Sequence, residues 1–165
     1  MLNISSKSVF FGITGLCCGG TLATAFMMEY VVGFAPCSFC IYERYPYGIA
    51  LALSLGGLFS SSWHSFLKKL LTLTFLVECA LTIYHILIEH KVVAPPSSCA
   101  PQFTITPTMT VQEIQTLIES QQKVVRCDMV PLRIFGLSMA EWNLLLSLAL
   151  LGFTLWSLCQ KRRLS

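Results

Sequence analysis

Charge is scarce in this chain. Only 12% of its 165 residues are Asp, Glu, Lys or Arg, about half the share of an ordinary soluble domain. Mean hydropathy is +0.69 and 55% of residues are hydrophobic, so a broad solvated surface is excluded. No basic patch interleaved with aromatics is present, which removes nucleic acid from the expected partners. No internal repeat is visible. Long polar sequence is scarce too, confined to Lys91 through about Leu137. What remains is a set of long uncharged apolar runs, the mark of an integral membrane protein.

Four such runs are expected to span, at about 9–30, 41–62, 70–89 and 139–158. The first holds roughly 22 residues, or about 33 Å of helix. A cleaved signal peptide ending at Ala23-Thr24-Ala25 is the rival, but its apolar core would exceed the usual length of about 7–15 residues. Cys17 and Cys18 lie mid-span and read as small packing side chains. In the second run Gly48, Gly56 and Gly57 suit close helix packing, and Pro46 in its first turns implies at most a mild kink. A polar link, Ser60 to Lys69, follows, with His64 expected to be solvated. The outer loops are about 31–40 and 91–138. In the second loop Thr110-x-x-Glu113 reads as a capping box, and Val111, Ile114, Leu117 and Ile118 form the apolar face of a short surface helix. A second box, Ser138-x-x-Glu141, starts the last span, and Trp142 and Trp156 suit anchors near its two ends. The expected fold is an all-α membrane protein. It is one domain, 1–165, a four-transmembrane-helix bundle with a short amphipathic helix in the second outer loop.

Charge placement sets the orientation. One side carries Lys7, Lys68, Lys69, Lys161, Arg162 and Arg163 and no acid, while the other side and its margins hold every acid except Glu78. The positive-inside rule places both termini in the cytoplasm. Four of the eight cysteines then fall on the outer, oxidising face: Cys37 and Cys40 on the first loop, Cys99 and Cys127 on the second. Stable disulfides belong on that face, and Cys37–Cys40 and Cys99–Cys127 are the expected pairs. Cys99 sits in Pro95-Pro96-Ser97-Ser98-Cys99-Ala100-Pro101, a turn-rich stretch that holds it on an open loop.

The chemistry centres on Pro36-Cys37-Ser38-Phe39-Cys40-Ile41-Tyr42-Glu43-Arg44. A C-x-x-C pair closes a small ring and makes a good redox couple. Its thiolate is favoured at a helix N-terminus or beside a cation. Arg44 lies four residues past Cys40, on the same face of one helix, and stays charged at any working pH. In the third span Glu78, Thr82, His85 and Glu89 are spaced to share one face, a polar stripe that should look into the bundle. Two inert alternatives stand beside the redox reading. Structural disulfides account for Cys99–Cys127, but a four-residue ring braces little. A zinc module would use all four outer cysteines, yet zinc ligands come as tight pairs and Cys99 and Cys127 are not one, so no metal is expected. A membrane scaffold with inert disulfides is the non-enzymatic reading.

The run Cys37-Ser38-Phe39-Cys40-Ile41-Tyr42-Glu43-Arg44 resembles the C-x-x-C-[IW]-[YF]-[EQ]-R pattern of the DsbB family of membrane thiol oxidases, including its shorter BdbC-like members. The likeness extends to four spans, to Ile83-Tyr84-His85, to one cysteine at each end of the second outer loop, and to Phe135-Gly136 before the last span. The resemblance implies an enzyme of the bacterial cytoplasmic (inner) membrane that reoxidises a DsbA-like thioredoxin-fold protein and passes the electrons to a membrane quinone of ubiquinone or menaquinone type. It implies that Cys99 is the sulfur attacked by the partner's thiolate. Cys127 would then leave and exchange with Cys37, and Cys40 would be the thiolate facing the quinone. Arg44 would stabilise negative charge there, and His85 would help bind the quinone or supply protons. The polar stripe from Glu78 to Glu89 is a conjectured proton route, which the resemblance does not imply. A vitamin K epoxide reductase-like enzyme uses the same parts, but with the two cysteine pairs in the reverse order.

Overall fold

The structure is a computed structural model that describes residues 6–60, 62–99, 110–112, 115, 126–130 and 132–163. It is mostly helical. In chain order the helices are α1 (Ser6–Tyr30), α2 (Ser38–Tyr42), α3 (Arg44–Phe59), α4 (His64–Glu89) and α5 (Met139–Arg163). A 3-10 turn covers Ser97–Cys99, and a two-stranded ribbon, β1 (Arg133–Ile134) and β2 (Leu137–Ser138), precedes α5. The sequence Ser8–Tyr30 of α1, all of α4, and Met139–Gln160 of α5 are long and apolar enough to cross a membrane. α1 packs on α3, α3 on α4, and α4 on α5.

The run expected as one span over 41–62 is two helices that meet at Glu43. Pro46 is the physical reason. It has no N–H to offer the carbonyl of Tyr42, and its ring crowds that carbonyl, so the ladder of α2 stops there. As the third residue of α3, Pro46 costs the second helix nothing, because first-turn N–H groups have no intrahelical acceptor. The interruption is one residue, Glu43, whose backbone remains helical at φ −64° and ψ −19°, in keeping with the mild kink the sequence implied.

The core is built from aromatic and small residues at one end of the bundle. Phe10 stacks on Phe153 at 5.0 Å and meets Phe11 edge-on at 5.1 Å. Phe11, Cys18, Ala50, Leu71 and Phe75 are fully buried. Of the three glycines in α3, only Gly57 serves close packing: a Cβ there would run into the Phe11 ring, whereas one at Gly48 or Gly56 would meet nothing. The link between α3 and α4 is shorter than expected, since α4 starts at His64. His64 is not simply solvated. Its Nε2 lies 2.8 Å from the Gly57 carbonyl and its ring packs 5.2 Å from Phe11. Lys68 donates to the Ser157 hydroxyl and lies over the Phe10 ring, tying α4 to α5 and α1.

The other end is closed by local devices. Phe135 and Gly136 both take positive φ, 53° and 84°, as a two-residue hairpin turn requires. The ribbon pairs Arg133 with Ser138 and Ile134 with Leu137. The capping box is present: Ser138 N donates to Glu141 Oε2 at 2.7 Å, and Glu141 N donates to Ser138 Oγ at 3.1 Å. Ser138 Oγ also donates to Glu89 Oε2 at 2.7 Å, which ties the start of α5 to the end of α4. Trp142 Nε1 donates to the Ile134 carbonyl at 3.0 Å. Glu113, Ile114, Leu117 and Ile118, on which the amphipathic surface helix was expected, lie outside the described residues.

Gly57→Ala should destabilise the bundle by about 1–3 kcal/mol, the usual cost of overpacking a tight contact. The measurement is thermal unfolding in detergent. Gly56→Ala serves as control and should change little.

Candidate functional site

α1 ends at Tyr30, and the chain turns through Gly33, at φ 85°, before α2. Cys37 is the N-cap of α2, with extended backbone, and its sulfur accepts the N–H of Cys40 at 3.2 Å. This is the helix-start setting that the spacing implies. Cys37 and Cys40 are not bridged: their sulfurs lie 2.6 Å apart as free thiols. The expected partners are thus adjacent at the start of α2 but not joined. Cys99 and Cys127 are bridged, 28 residues apart in sequence. Closing a loop of that size contributes about 3–4 kcal/mol in the chain-entropy account.

The two pairs pack together. Cys37, Phe39, Ile88, Cys99 and Cys127 form one buried cluster, with Cys40 against it. Cys99 is thus not on an open loop. The Ser97–Cys99 turn, closed by Cys99 N to Pro96 O at 2.8 Å, tucks it beneath the surface, only 1% exposed.

Beside the cysteines runs a buried polar network. His85 stacks on Phe39 at 5.6 Å, and its Nε2 lies 3.5 Å from Cys37 Sγ. Its Nδ1 lies 2.8 Å from Glu43 Oε1. A carboxylate only accepts, so Nδ1 carries a hydrogen, while Nε2 faces Cys37 Sγ and, at 3.9 Å, Glu89 Oε1. The other Glu43 oxygen accepts from Asn143 Nδ2 at 3.0 Å. The same nitrogen donates to Glu78 Oε1 at 2.8 Å, and Tyr47 OH donates to Asn143 Oδ1 at 2.6 Å. Thr82 Oγ1 lies 3.2 Å from Glu78 Oε1. Glu78, Thr82 and His85 are all buried on one face of α4, as their spacing implies.

Arg44 is not paired with a cysteine. Its guanidinium donates to Glu29 of α1 and lies 5.1 Å from the centre of the Phe26 ring. Arg44 and Cys40 nonetheless border the same cavity, as their four-residue spacing implies. Arg44 Nε is buried with no hydrogen-bond partner among the described residues. The cavity, of about 620 Å³, is bordered by Cys37, Cys40, Arg44, His85 and Cys127. Its walls are mainly apolar, from Leu22, Met28, Phe34, Val130 and Leu146 among others. Five of the six residues singled out in the sequence thus face one space, and the sixth, Cys99, is bonded to one of them.

The ligand-type atoms of Cys37, Cys40 and His85 lie within 4.8 Å of one another. The sulfurs are too close for a shared zinc, which at Zn–S about 2.3 Å sets its thiolates about 3.8 Å apart. The four-cysteine zinc alternative loses Cys99 and Cys127 to their disulfide. The sulfur contact polarises the pair. The Cys40 thiol, donating to Cys37, holds Cys37 below the ordinary thiol range, aided by the Cys40 N–H.

The sequence reading missed Glu43, Asn143, Tyr47 and Glu29. Asn143 had a signal, an amide four residues inside the last span.

The family model for "Disulfide bond formation protein DsbB" matches residues 7–157. The chain belongs to the DsbB family. A Rickettsia prowazekii protein described as uncharacterised is 34% identical over 80% of this chain and 76% of its own length. Disulfide bond formation protein B of Xylella fastidiosa is 27% identical over 92% of this chain and 91% of its own, and that of Xanthomonas campestris 28% over 87% and 83%. No solved structure matches. As a DsbB-family member the chain is a membrane oxidoreductase of disulfide bond formation.

In the reduced protein, Cys37 should alkylate at a lower pH than an ordinary thiol, because a depressed pKa keeps more thiolate at neutral pH. Cys40→Ala removes the thiol donor and should move the midpoint of the Cys37 alkylation rate back up. Iodoacetamide rates against pH, read by peptide mass, check both.

Proposed function

We propose that this protein reoxidises a DsbA-like thioredoxin-fold protein on the outer face of a bacterial inner membrane and passes the electrons to a membrane quinone. The carrying observation is that Cys37, Cys40, Cys127, Arg44 and His85 border one apolar cavity. In this reading α2 and α3 together make a fourth crossing, Ser38 to Phe59, roughly 33 Å long. Its place between α1 and α4 supports that count. The lysine- and arginine-rich ends are cytoplasmic and both cysteine pairs are outside.

The residues fit a quinone. The cavity volume is within the usual range for small-ligand sites, about 300–1,000 Å³, with mostly apolar walls and few polar groups. Arg44 Nε is a buried donor lacking an acceptor among the described residues, which a quinone carbonyl would supply. When bound, the quinone supplies a two-electron, two-proton acceptor.

The chain's own sulfurs do the exchange. A thiolate of the reduced partner attacks Cys99, the Cys99–Cys127 bond breaks, and Cys127 leaves as thiolate with the electron pair. Cys127 attacks Cys37 of a closed Cys37–Cys40 pair and frees Cys40 as thiolate toward the cavity. The partner's second thiolate attacks its own sulfur bound to Cys99, which leaves the partner oxidised. Cys99 then retakes Cys127 and releases Cys37. Two electrons now rest on Cys37 and Cys40. Cys37 leaves as a thiolate with His85 Nε2 3.5 Å away to exchange a proton with it, and Arg44 steadies negative charge at the cavity edge. A partner of this class is itself strongly oxidising, at about −120 mV, so its regenerator needs an acceptor stronger than a thiol pool.

The test is quinone reduction by purified protein in detergent, with a reduced DsbA-type partner. Cys40→Ser should abolish turnover, and Arg44→Ala should slow it by at least tenfold, on the scale of losing one fixed electrostatic donor. Absence of turnover with any quinone, from folded protein with Cys99–Cys127 intact, would return the cysteines to a structural role.

A further inference from the structure

The conjectured proton route narrows at Glu78. Glu78 is fully buried, and one and two turns further into the bundle the same face of α4 presents Phe75 and Leu71, both fully buried and apolar. The next polar side chain along this face, Thr74, is half-buried and its hydroxyl donates to the Leu70 carbonyl of its own helix. Asn143 is also a poor conduit, since its amide nitrogen only donates. Glu78 has another use.

We propose that Glu78 and Glu43 share one proton across Asn143, carried by Glu78, so that Glu43 stays the anion that holds His85 with Nε2 turned to Cys37. Asn143 Nδ2 has two hydrogens, and carboxyl oxygens of Glu43 and Glu78 take them at 3.0 and 2.8 Å. The amide orientation is fixed by Tyr47, whose hydroxyl donates to Oδ1. Two carboxylates bridged by a single nitrogen in a low-dielectric interior resist double ionisation. The asymmetry decides which keeps the proton. Glu43 has a donor on each oxygen, His85 Nδ1 and Asn143 Nδ2. Glu78 Oε2 is buried with none among the described residues, a setting that a charged oxygen tolerates far less than a hydroxyl. The groups around Glu78 are Thr82 and Cys79 on its own helix, Cys18 from α1, Tyr47 from α3, Glu43 at the α2–α3 joint, and Asn143 and Ser147 from α5. No lysine or arginine is among them. Glu78 is therefore a positioning residue, acting through Asn143 and Glu43, and the proton that leaves Cys37 does not pass through it.

Only the kinetic arm of the test rests on the proposed quinone activity. Infrared spectra of the purified protein at neutral pH should contain a protonated-carboxyl C=O band that disappears in Glu78→Gln and survives in Glu43→Gln. Single-turnover oxidation of the reduced Cys37–Cys40 pair by quinone should be slow in Glu43→Gln at every pH. In Glu78→Gln, permanently neutral at that position, the pH profile should change instead. The parent-to-variant rate ratio should fall several-fold as pH rises, because ionising Glu78 in the parent adds a second negative charge that opposes thiolate formation at Cys37. A band that persists in Glu78→Gln overturns the proposal. So does a Glu78→Gln rate depressed as far as that of Glu43→Gln at all pH values, which would make Glu78 a carrier of the reacting proton.

Discussion

A buried carboxylate must be held on both oxygens, and Glu43 is the place where this protein meets that demand. The Pro46 break sets Glu43 between α2 and α3, where its backbone stays near-helical while the two helices part. Its side chain turns inward, and His85 of α4 and Asn143 of α5 each take one oxygen. Three helical segments are thereby fixed to one residue. Removing one partner of such a buried pair costs about 3–5 kcal/mol in general, because it strands the other. The position of α2, and with it the two sulfurs at its start, depends on this tie. Phe39 stacked on His85 is the apolar half of the same joint.

The two ends of the bundle are built differently. Toward the α3–α4 link, Phe10, Phe11, Phe75 and Phe153 fill the space, and Gly57 lets α3 come within reach of Phe11. Close packing leaves little freedom there. Toward the cysteines lie the cavity and the buried polar network of Glu43, Glu78, His85 and Asn143. Lys68 and His64 brace the first end, while the Ser138 cap and its bond to Glu89 brace the second. The rigid end holds the helices in register, so the open end can leave room for chemistry without collapsing.

What the sequence made legible is local. The C-x-x-C before an apolar run put Cys37 at a helix start, the Ser138/Glu141 spacing gave a capping box, and the 4-3-4 spacing of Glu78, Thr82, His85 and Glu89 put them on one buried face. Each follows from helix geometry within a few residues. What escaped is contact across the bundle. Nothing near Asn143 indicates that its nitrogen bridges two carboxyls some 60 and 100 positions away. The Arg44–Glu29 pair joins two helices whose rotation no local pattern sets. Polar neighbours suggested a solvated His64 and turn-formers an open Cys99, yet burial is decided by what packs above a residue. The Pro46 kink was legible, since a proline four residues after Tyr42 must cancel that carbonyl's bond.

The electrostatics of the Cys37–Cys40 pair are also relocated. Arg44 is shared with Glu29, so its charge is largely answered before it reaches a sulfur. Cys37 instead draws on the N-terminus of α2, through the Cys40 N–H, and on His85. These are the dipoles of a helix start and a ring held in place by Glu43. Arg44 and His85 both border the cavity, from α3 and α4. Each is held by a carboxylate from another helical segment, Arg44 by Glu29 of α1 and His85 by Glu43 at the α2–α3 joint, so the placing of both basic side chains beside the sulfurs depends on contacts across the bundle.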